Sequence, residues 1–393
     1  MAQQHSSDNL KHTALYEVHA NLNARFTNFG GWDMPLKYTS ELDEHRAVRE
    51  AVGVFDLSHM GEVWVRGPQA AEFLDYSLIS RLSAVPVGKA KYSMICTESG
   101  GIIDDLITYH VDEDTFLVVP NAGNIDNVVS ALQERAHAFD VEVEDKSAQT
   151  SMIAVQGPKA AEAMEKIVEN VVDAPEASGA GATVAEAISG LGYYAAFKGI
   201  VAGQPVLVAR TGYTGEDGFE IIVNNDAAPD TWAKAMDEAG RLGGLPCGLA
   251  CRDTLRLEAG MPLYGNELSL KLTPVDAGLG VLAATKSKES FVGRDAIMAA
   301  KNQGSDRVLI GLSGEGRRAA RGGYAVFAAD KEIGEVTSGA LSPTLGHPVA
   351  MAYVSKSAVD SGAAAVGSQV DVDIRGKKLP FTVVELPFYK REK

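Results

Sequence analysis

Glu62-Val63-Trp64-Val65-Arg66-Gly67-Pro68 runs into Gln69-Ala70-Ala71-Glu72-Phe73-Leu74, and the arrangement returns as Ile153-Ala154-Val155-Gln156-Gly157-Pro158 before Lys159-Ala160-Ala161-Glu162. In each copy an apolar or alternating segment reads as a strand, Gly-Pro stops it, and an Ala- and Glu-containing stretch reads as a helix. Proline suits the first helical turn because the N–H it lacks would go unpaired there, so each proline is expected in the first turn of its helix. Gly67 and Gly157 lie 90 residues apart. Two copies of one strand–turn–helix unit at that distance predict two related α+β subdomains; the alternative is chance likeness between two common units. No short repeat of the solenoid kind is present.

Outward from these units, Thr39-Ser40-Glu41-Leu42 through Val52 reads as a helix. It has a Thr or Ser cap, acids in the first turn and an apolar stripe of Leu42, Val48, Ala51 and Val52, with Gly53 ending it. The stretch Asp173 to Thr183 is rich in Ala and Gly and reads as an exposed insertion. From about Phe291 short strands broken by glycine take over. Val308-Leu309-Ile310, Ile333 to Val336, and the pair Val370–Ile374 and Phe381–Val384 are expected to be antiparallel, with Arg375-Gly376-Lys377-Lys378 as a hairpin turn. At 393 residues the chain is too long for one ordinary core. We place two interlaced α+β subdomains with antiparallel sheets in residues 1–285 and a C-terminal β-barrel-like domain in residues 286–393.

A formal net charge of −16 opposes a nucleic-acid surface, which needs a basic face. No stretch approaches the roughly 20 apolar residues of a membrane span, so neither nucleic acid nor membrane is an expected partner. Met1 to Leu10 has neither a basic start nor an apolar stretch and is expected to be a frayed polar leader on a cytoplasmic protein. Cys96, Cys247 and Cys251 are poorly spaced for disulfides and are expected to be small buried residues, with no metal site.

Three segments carry candidate chemistry. Gly100 to Val111 reads as a strand on which Ile103, Asp105, Ile107, Tyr109 and Val111 share one side, and Ile102, Asp104, Leu106, Thr108 and His110 the other. Asp105 thus falls on the more apolar face, where a carboxylate is costly without partners. It is either a functional acid or a strand-end acid reaching water. Arg210-Thr-Gly-Tyr-Thr-Gly-Glu-Asp-Gly-Phe-Glu220 lacks the Gly-Lys-Ser/Thr ending of a phosphate loop, leaving a tight hairpin or a ligand approach, with Glu220 just beyond it. In Gly248 to Gly260, Arg252 and Arg256 stand at i and i+4 on one helical face, which is either exposed or ion-paired or else a clamp for a carboxylate. Asp56, Ser58 and His59 are too close in sequence to form a Ser/His/Asp triad.

Together with Phe29–Pro35, Phe55–Gly61, Phe291–Arg294 and Thr337–Gly346, these segments resemble, in order and over nearly the whole chain, the aminomethyltransferase family, the T-proteins of the glycine cleavage system. The resemblance implies a three-domain cloverleaf with tetrahydrofolate as co-substrate in its centre. It also implies transfer of an aminomethyl-derived carbon from the lipoyl arm of a carrier, the H-protein, to tetrahydrofolate. By position Asp105 matches the family's catalytic Asp, Glu220 a pterin-binding Glu and Arg252 a folate-site Arg. Met60, Tyr92, Asn121 and Tyr213 match positions lining the same site. The folate glutamate tail would meet Arg252 or Lys390-Arg391. Departures are small: Cys251 stands where Ala is usual, and Asp173–Thr183 looks long. The basic run Arg317, Arg318 and Arg321 is either a carrier-docking patch or a solvated loop. Rival implications are a folate-dependent demethylase and a non-catalytic folate-binding assembly factor, whose Lys-Gly-Cys signature is absent.

Overall fold

The computed structural model describes residues 10–391; the polar leader read over Met1 to Leu10 lies outside them except for its last residue. The chain divides into two compact units, each drawn from three separate stretches: Met1–Val63, Asp145–Gly212 and Asp217–Arg252, and then Trp64–Glu144, Tyr213–Glu216 and Asp253–Lys393. The expected boundary at 285/286 falls within the second unit, ahead of the barrel strands.

The first unit is built on a seven-stranded sheet in the order Asn170–Asp173, Ala196–Val201, Gln204–Ala209, Gly218–Asn224, Thr150–Gln156, Gly53–Asp56 and Leu245–Cys247. Every pairing is antiparallel except the last. Thr150–Gln156 is buried along its whole length, which explains why it reads as a continuous apolar run rather than an alternation. Helices Ala160–Ile167 and Ala228–Arg241 contribute Met164, Ile167, Trp232 and Ala235 to one core with Val155, Phe197, Phe219 and Ile221. Each large side chain so buried contributes about 1.5–3 kcal/mol of transfer free energy. Ser40 caps the helix Glu41–Glu50 by accepting from the Asp43 N–H at 3.4 Å. Asp173 to Thr183 is largely exposed, as expected, yet tied down by a buried Ser178 and by a Thr183–Glu186 capping box.

The second unit holds a five-stranded sheet in the order Ala90–Cys96, Ile102–Asp112, Thr115–Val119, Val63–Arg66 and Glu142–Asp145, together with a closed six-stranded barrel. The barrel runs Arg307–Gly314, Pro348–Ser355, Lys331–Leu341, Ala325–Ala328, Gln369–Asp373, Lys378–Val384 and back to the first strand. The expected hairpin is present. Arg375 and Gly376 sit at φ 58° and 80°, the left-handed pair a two-residue turn requires, and Ile374 and Lys377 close it.

The two strand–Gly-Pro–helix units match in detail. Gly67 and Gly157 adopt φ 134° and 139°, and a Cβ at either would come within 2.5 Å of a backbone oxygen, that of Asp140 or of Ala51. Both lead to eight-residue helices, Ala70–Ser77 and Ala160–Ile167. The helices begin two residues after each proline, however, so Pro68 and Pro158 lie in the preceding turn and not in the first helical turn. Lys288 closes the far end of Ala70–Ser77. Its buried ammonium donates to the carbonyls of Asp75, Leu78 and Ser80 at 2.7, 2.5 and 2.9 Å, and burial lowers its pKa to about 8.

All three cysteines are free and buried, and burial pushes the Cys96 thiol up to about 12. Among the described residues no helix is long and apolar enough to cross a membrane, and no group of His, Cys, Asp and Glu is disposed to hold a metal.

Candidate active site

Strand Ile102–Asp112 presents Asp104 and Asp105 to opposite faces, and the burial corrects the sequence-based assignment. Ile102, Asp104, Leu106 and Thr108 are packed away, whereas Ile103, Asp105 and Ile107 are only half-buried. The side read as more apolar is therefore the open one over this stretch, and it closes further along at Tyr109 and Val111.

Met94 pairs across the sheet with Asp105 and Tyr92 with Ile107, so Tyr92 shares the face of Asp105 and reaches it diagonally. Its hydroxyl donates to Asp105 Oδ2 at 2.9 Å. From the other side Asn121 Nδ2 donates to Asp105 Oδ1 at 3.0 Å and lies 2.9 Å from the Asp105 carbonyl. Removal of water around Asp105 pushes its pKa up, and these donors, Tyr92 foremost, pull it back to about 6. The result is a carboxylate that is mostly ionised at neutral pH yet close enough to titration to exchange a proton.

Turnover that needs this carboxylate ionised should fall below about pH 6. In Tyr92→Phe a donor to the charged form is lost, so the limb should move upward by about one pH unit. A kcat–pH profile checks this, and an unmoved limb would remove Tyr92 from the role.

Asp104, passed over in the sequence reading, is fully buried and accepts three hydrogen bonds: from the Asn121 backbone N–H at 2.8 Å, Asn121 Nδ2 at 2.8 Å and Asn124 Nδ2 at 2.6 Å. Burial, then the charge of Asp105, raise it to about 7 against those three donors. Both carboxyls sit above their unfolded values, so the stability they contribute is fully present below about pH 4. It is withdrawn as pH rises through about 6 and about 7. The detectable signal was the pair Asn121 and Asn124, spaced for one turn of helix opposite an Asp-Asp strand.

Tyr213 belongs to the same unit, and its hydroxyl donates to the Pro262 carbonyl at 2.5 Å. Tyr92, Asp105 and Asn121 thus form one hydrogen-bonded group, while Tyr213 is anchored on a separate backbone partner.

Glu220, Arg252 and Met60 belong to the first unit. Glu220 lies mid-strand and nearly buried in the pairing with Ala154, and the buried Thr211 hydroxyl donates to its Oε2 at 2.5 Å. Gln156 underpins this corner, its Nε2 donating to the Thr211 carbonyl at 3.0 Å, and a Cβ at Gly212 would strike its amide. Met60 is half-exposed beside a buried His59. Burial lowers His59 to about 4; Asp56 opposes that shift and Arg252 adds to it. Arg252 therefore lies within electrostatic range of the His59–Met60 turn.

Asp56 does not serve His59. It accepts from Thr13 and Ser58 and pairs with His19 Nε2 at 2.9 Å, and His19 Nδ1 meets the Tyr38 hydroxyl at 3.0 Å. The triad excluded from sequence is absent among the described residues. Arg256 follows the ion-paired alternative and is buried: it is 1% exposed and pairs with Asp253 and Glu267.

A carboxylate poised near neutrality among fixed donors thus lies on an antiparallel sheet, in a unit of mixed α+β architecture that also holds a closed antiparallel barrel. Residues 15–287 match the model of the GCVT N-terminal domain, and residues 307–390 that of the glycine cleavage T-protein C-terminal barrel domain. The aminomethyltransferase of Corynebacterium jeikeium (strain K411) is 79% identical over 386 residues, covering 98% of this chain and 99% of its own. That of Streptomyces avermitilis is 52% identical over 99% of this chain and all of its own length. The crystal structure of glycine cleavage system aminomethyltransferase T from Bartonella henselae superposes with a TM-score of 0.85 at 35% identity, covering 97% of this chain and 98% of that one. The chain belongs to the aminomethyltransferase family, the T-proteins of the glycine cleavage system.

Proposed function

We propose that the protein transfers the aminomethyl-derived carbon of a lipoylated carrier, the H-protein, to tetrahydrofolate, with Asp105 as the catalytic carboxylate. The net change balances without an oxidant. The carbon leaves its sulfur and its amine and joins two folate nitrogens, and the two N–H protons end on the dihydrolipoyl thiol and on ammonia. Tetrahydrofolate, when bound, supplies the nucleophilic nitrogens of a 5,10-methylene product. The family and its glycine cleavage role favour this reading over the demethylase and assembly-factor alternatives. Its site-level support is the Tyr92–Asp105–Asn121 group.

The residues fit such a ligand. Ionised Asp105 orients a nitrogen donor, stabilises positive charge developing on it and accepts its proton. Glu220 is acceptor-only when ionised and suits adjacent N–H and amino donors on a pterin edge. The Thr211 hydroxyl fixes one of its oxygens. Arg252 suits a carboxylate, and the glutamate tail would meet it or Lys390 and Arg391. Met60, Tyr92, Asn121 and Tyr213 line the folate site in this reading. Residues 1–285 form the folate-binding region, residues 286–393 the barrel domain, and the protein is cytoplasmic.

The test is ammonia release from aminomethylated lipoyl carrier, with and without tetrahydrofolate. Strong folate-dependent release is expected; folate binding with no release overturns the proposal. Glu220→Gln should weaken tetrahydrofolate binding by about 10- to 100-fold, the worth of a charge-assisted hydrogen bond. Calorimetric titration checks that figure, and an unchanged Kd would take Glu220 out of the pterin site.

A further inference from the structure

We propose that Asp104 is a positioning residue for the reaction, holding the Asn121 carboxamide in the orientation that supports Asp105. The inference rests on the assignment of Asp105 above. Neighbours on a strand point to opposite faces, so Asp104 cannot touch the reacting groups on the face of Asp105. Asn121 bridges the two. Its Nδ2 lies 2.8 Å from Asp104 Oδ1 and 3.0 Å from Asp105 Oδ1, while its backbone N–H donates to Asp104 Oδ2 at 2.8 Å.

A carboxamide can turn over end for end, exchanging a donor for an acceptor in nearly the same shape. Every hydrogen-bond partner of the Asp104 and Asp105 side chains is a donor, so the oxygens they turn toward Asn121 act as acceptors. With one on each side, the NH2 end must face them, and Oδ1 is turned away from both. If Asp104 were absent, the amide would keep only the Asp105 contacts, and the part-buried backbone N–H of Asn121 would lose its acceptor.

Asn124 completes the arrangement. It is nearly buried and donates to Asp104 Oδ1 at 2.6 Å, so Asp104 also ties both ends of the turn Ala122–Asn124 to the strand. That turn leads from strand Thr115–Val119 into helix Ile125–Ala136 and sets where Asn121 stands. A fully buried carboxyl with three donors and no cation among its hydrogen-bond partners is a costly way to brace a turn. The cost is accounted for when the same carboxylate fixes the amide beside Asp105.

The test uses the full-length chain with tetrahydrofolate and aminomethylated carrier, and kcat is normalised to tetrahydrofolate sites counted by titration. Asp104→Asn replaces one acceptor oxygen by a donor facing donors. It should lower kcat per site by about 10- to 100-fold, as an ångström-scale misplacement of a catalytic group does. The loss in kcat should exceed any rise in KM for tetrahydrofolate. Asn124→Ala, which leaves Asn121 and both aspartates in place, should give a smaller loss of the same kind. A purely structural Asp104 predicts fewer folded molecules turning over at the wild-type kcat, and that result overturns the proposal. If Asp104→Asn does not fold, wild-type kcat in Asn124→Ala overturns it instead. Asp105→Asn is measured alongside: full activity there is the failure of the Asp105 assignment itself and is seen independently of the other two variants.

Discussion

Asp105→Asn is expected to lower kcat for folate-dependent ammonia release by about 10²- to 10⁴-fold, the range for loss of a positioned acid–base group. Tetrahydrofolate should still bind to nearly wild-type affinity. The substitution keeps the shape, and its one carbonyl oxygen can still accept from Tyr92, whose hydroxyl stands 2.9 Å from the present carboxylate. What it removes is the charge, the capacity to take a proton and the acceptor that faces Asn121 Nδ2. Because desolvation has already raised Asp105 to about 6, little stability should go with the charge. The acidic limb of the kcat–pH profile should vanish with the carboxylate. Steady-state rates and a separate binding titration check this. Wild-type turnover, or a rate loss that merely tracks lost binding, would exclude Asp105 as the catalytic group.

How far the sequence foretold this site follows from what is local and what is not. The repeated strand–Gly-Pro–helix unit, the Ser40 cap and the Arg375-Gly376 hairpin are settled within a few residues by backbone sterics and capping, and all three appear. The Asp105 strand was legible for the same reason. Its buried side was not, because both faces carry apolar residues and the choice is made by donors at Asn121 and Asn124, beyond the next strand. The pairing of Asp56 with His19 spans 37 residues, and nothing around His59 announced it. The two arginines at i and i+4 are plain in the sequence, but local spacing cannot tell a ligand clamp from an internal ion pair when the deciding partners lie elsewhere in the chain.

Arg256 is where that long-range dependence should be most costly to disturb, and Arg256→Ala is expected to destabilise the fold by about 3–5 kcal/mol. The guanidinium is 1% exposed and spreads over four partners: Asp253 Oδ1 at 2.8 Å from Nε, Glu267 Oε2 and the Met261 carbonyl at 3.1 and 3.2 Å from Nη1, and Ser338 Oγ at 2.8 Å from Nη2. Asp253 is half-exposed and can turn to water when its partner goes. Glu267 cannot. It is fully buried, its Oε1 has no hydrogen-bond partner, and its Oε2 would keep only the Leu263 N–H at 2.9 Å. The expected cost is therefore mainly that of a stranded carboxylate, and only secondarily the lost packing of the arginine stem. That origin has a signature. Arg256→Met combined with Glu267→Gln removes the stranded charge and should recover a large part of the loss, giving a favourable coupling in a double-mutant cycle. Urea unfolding followed by far-ultraviolet circular dichroism measures both. An unshifted midpoint in Arg256→Ala would refute the network's structural role, and strictly additive losses in the double variant would assign the effect to packing instead of charge.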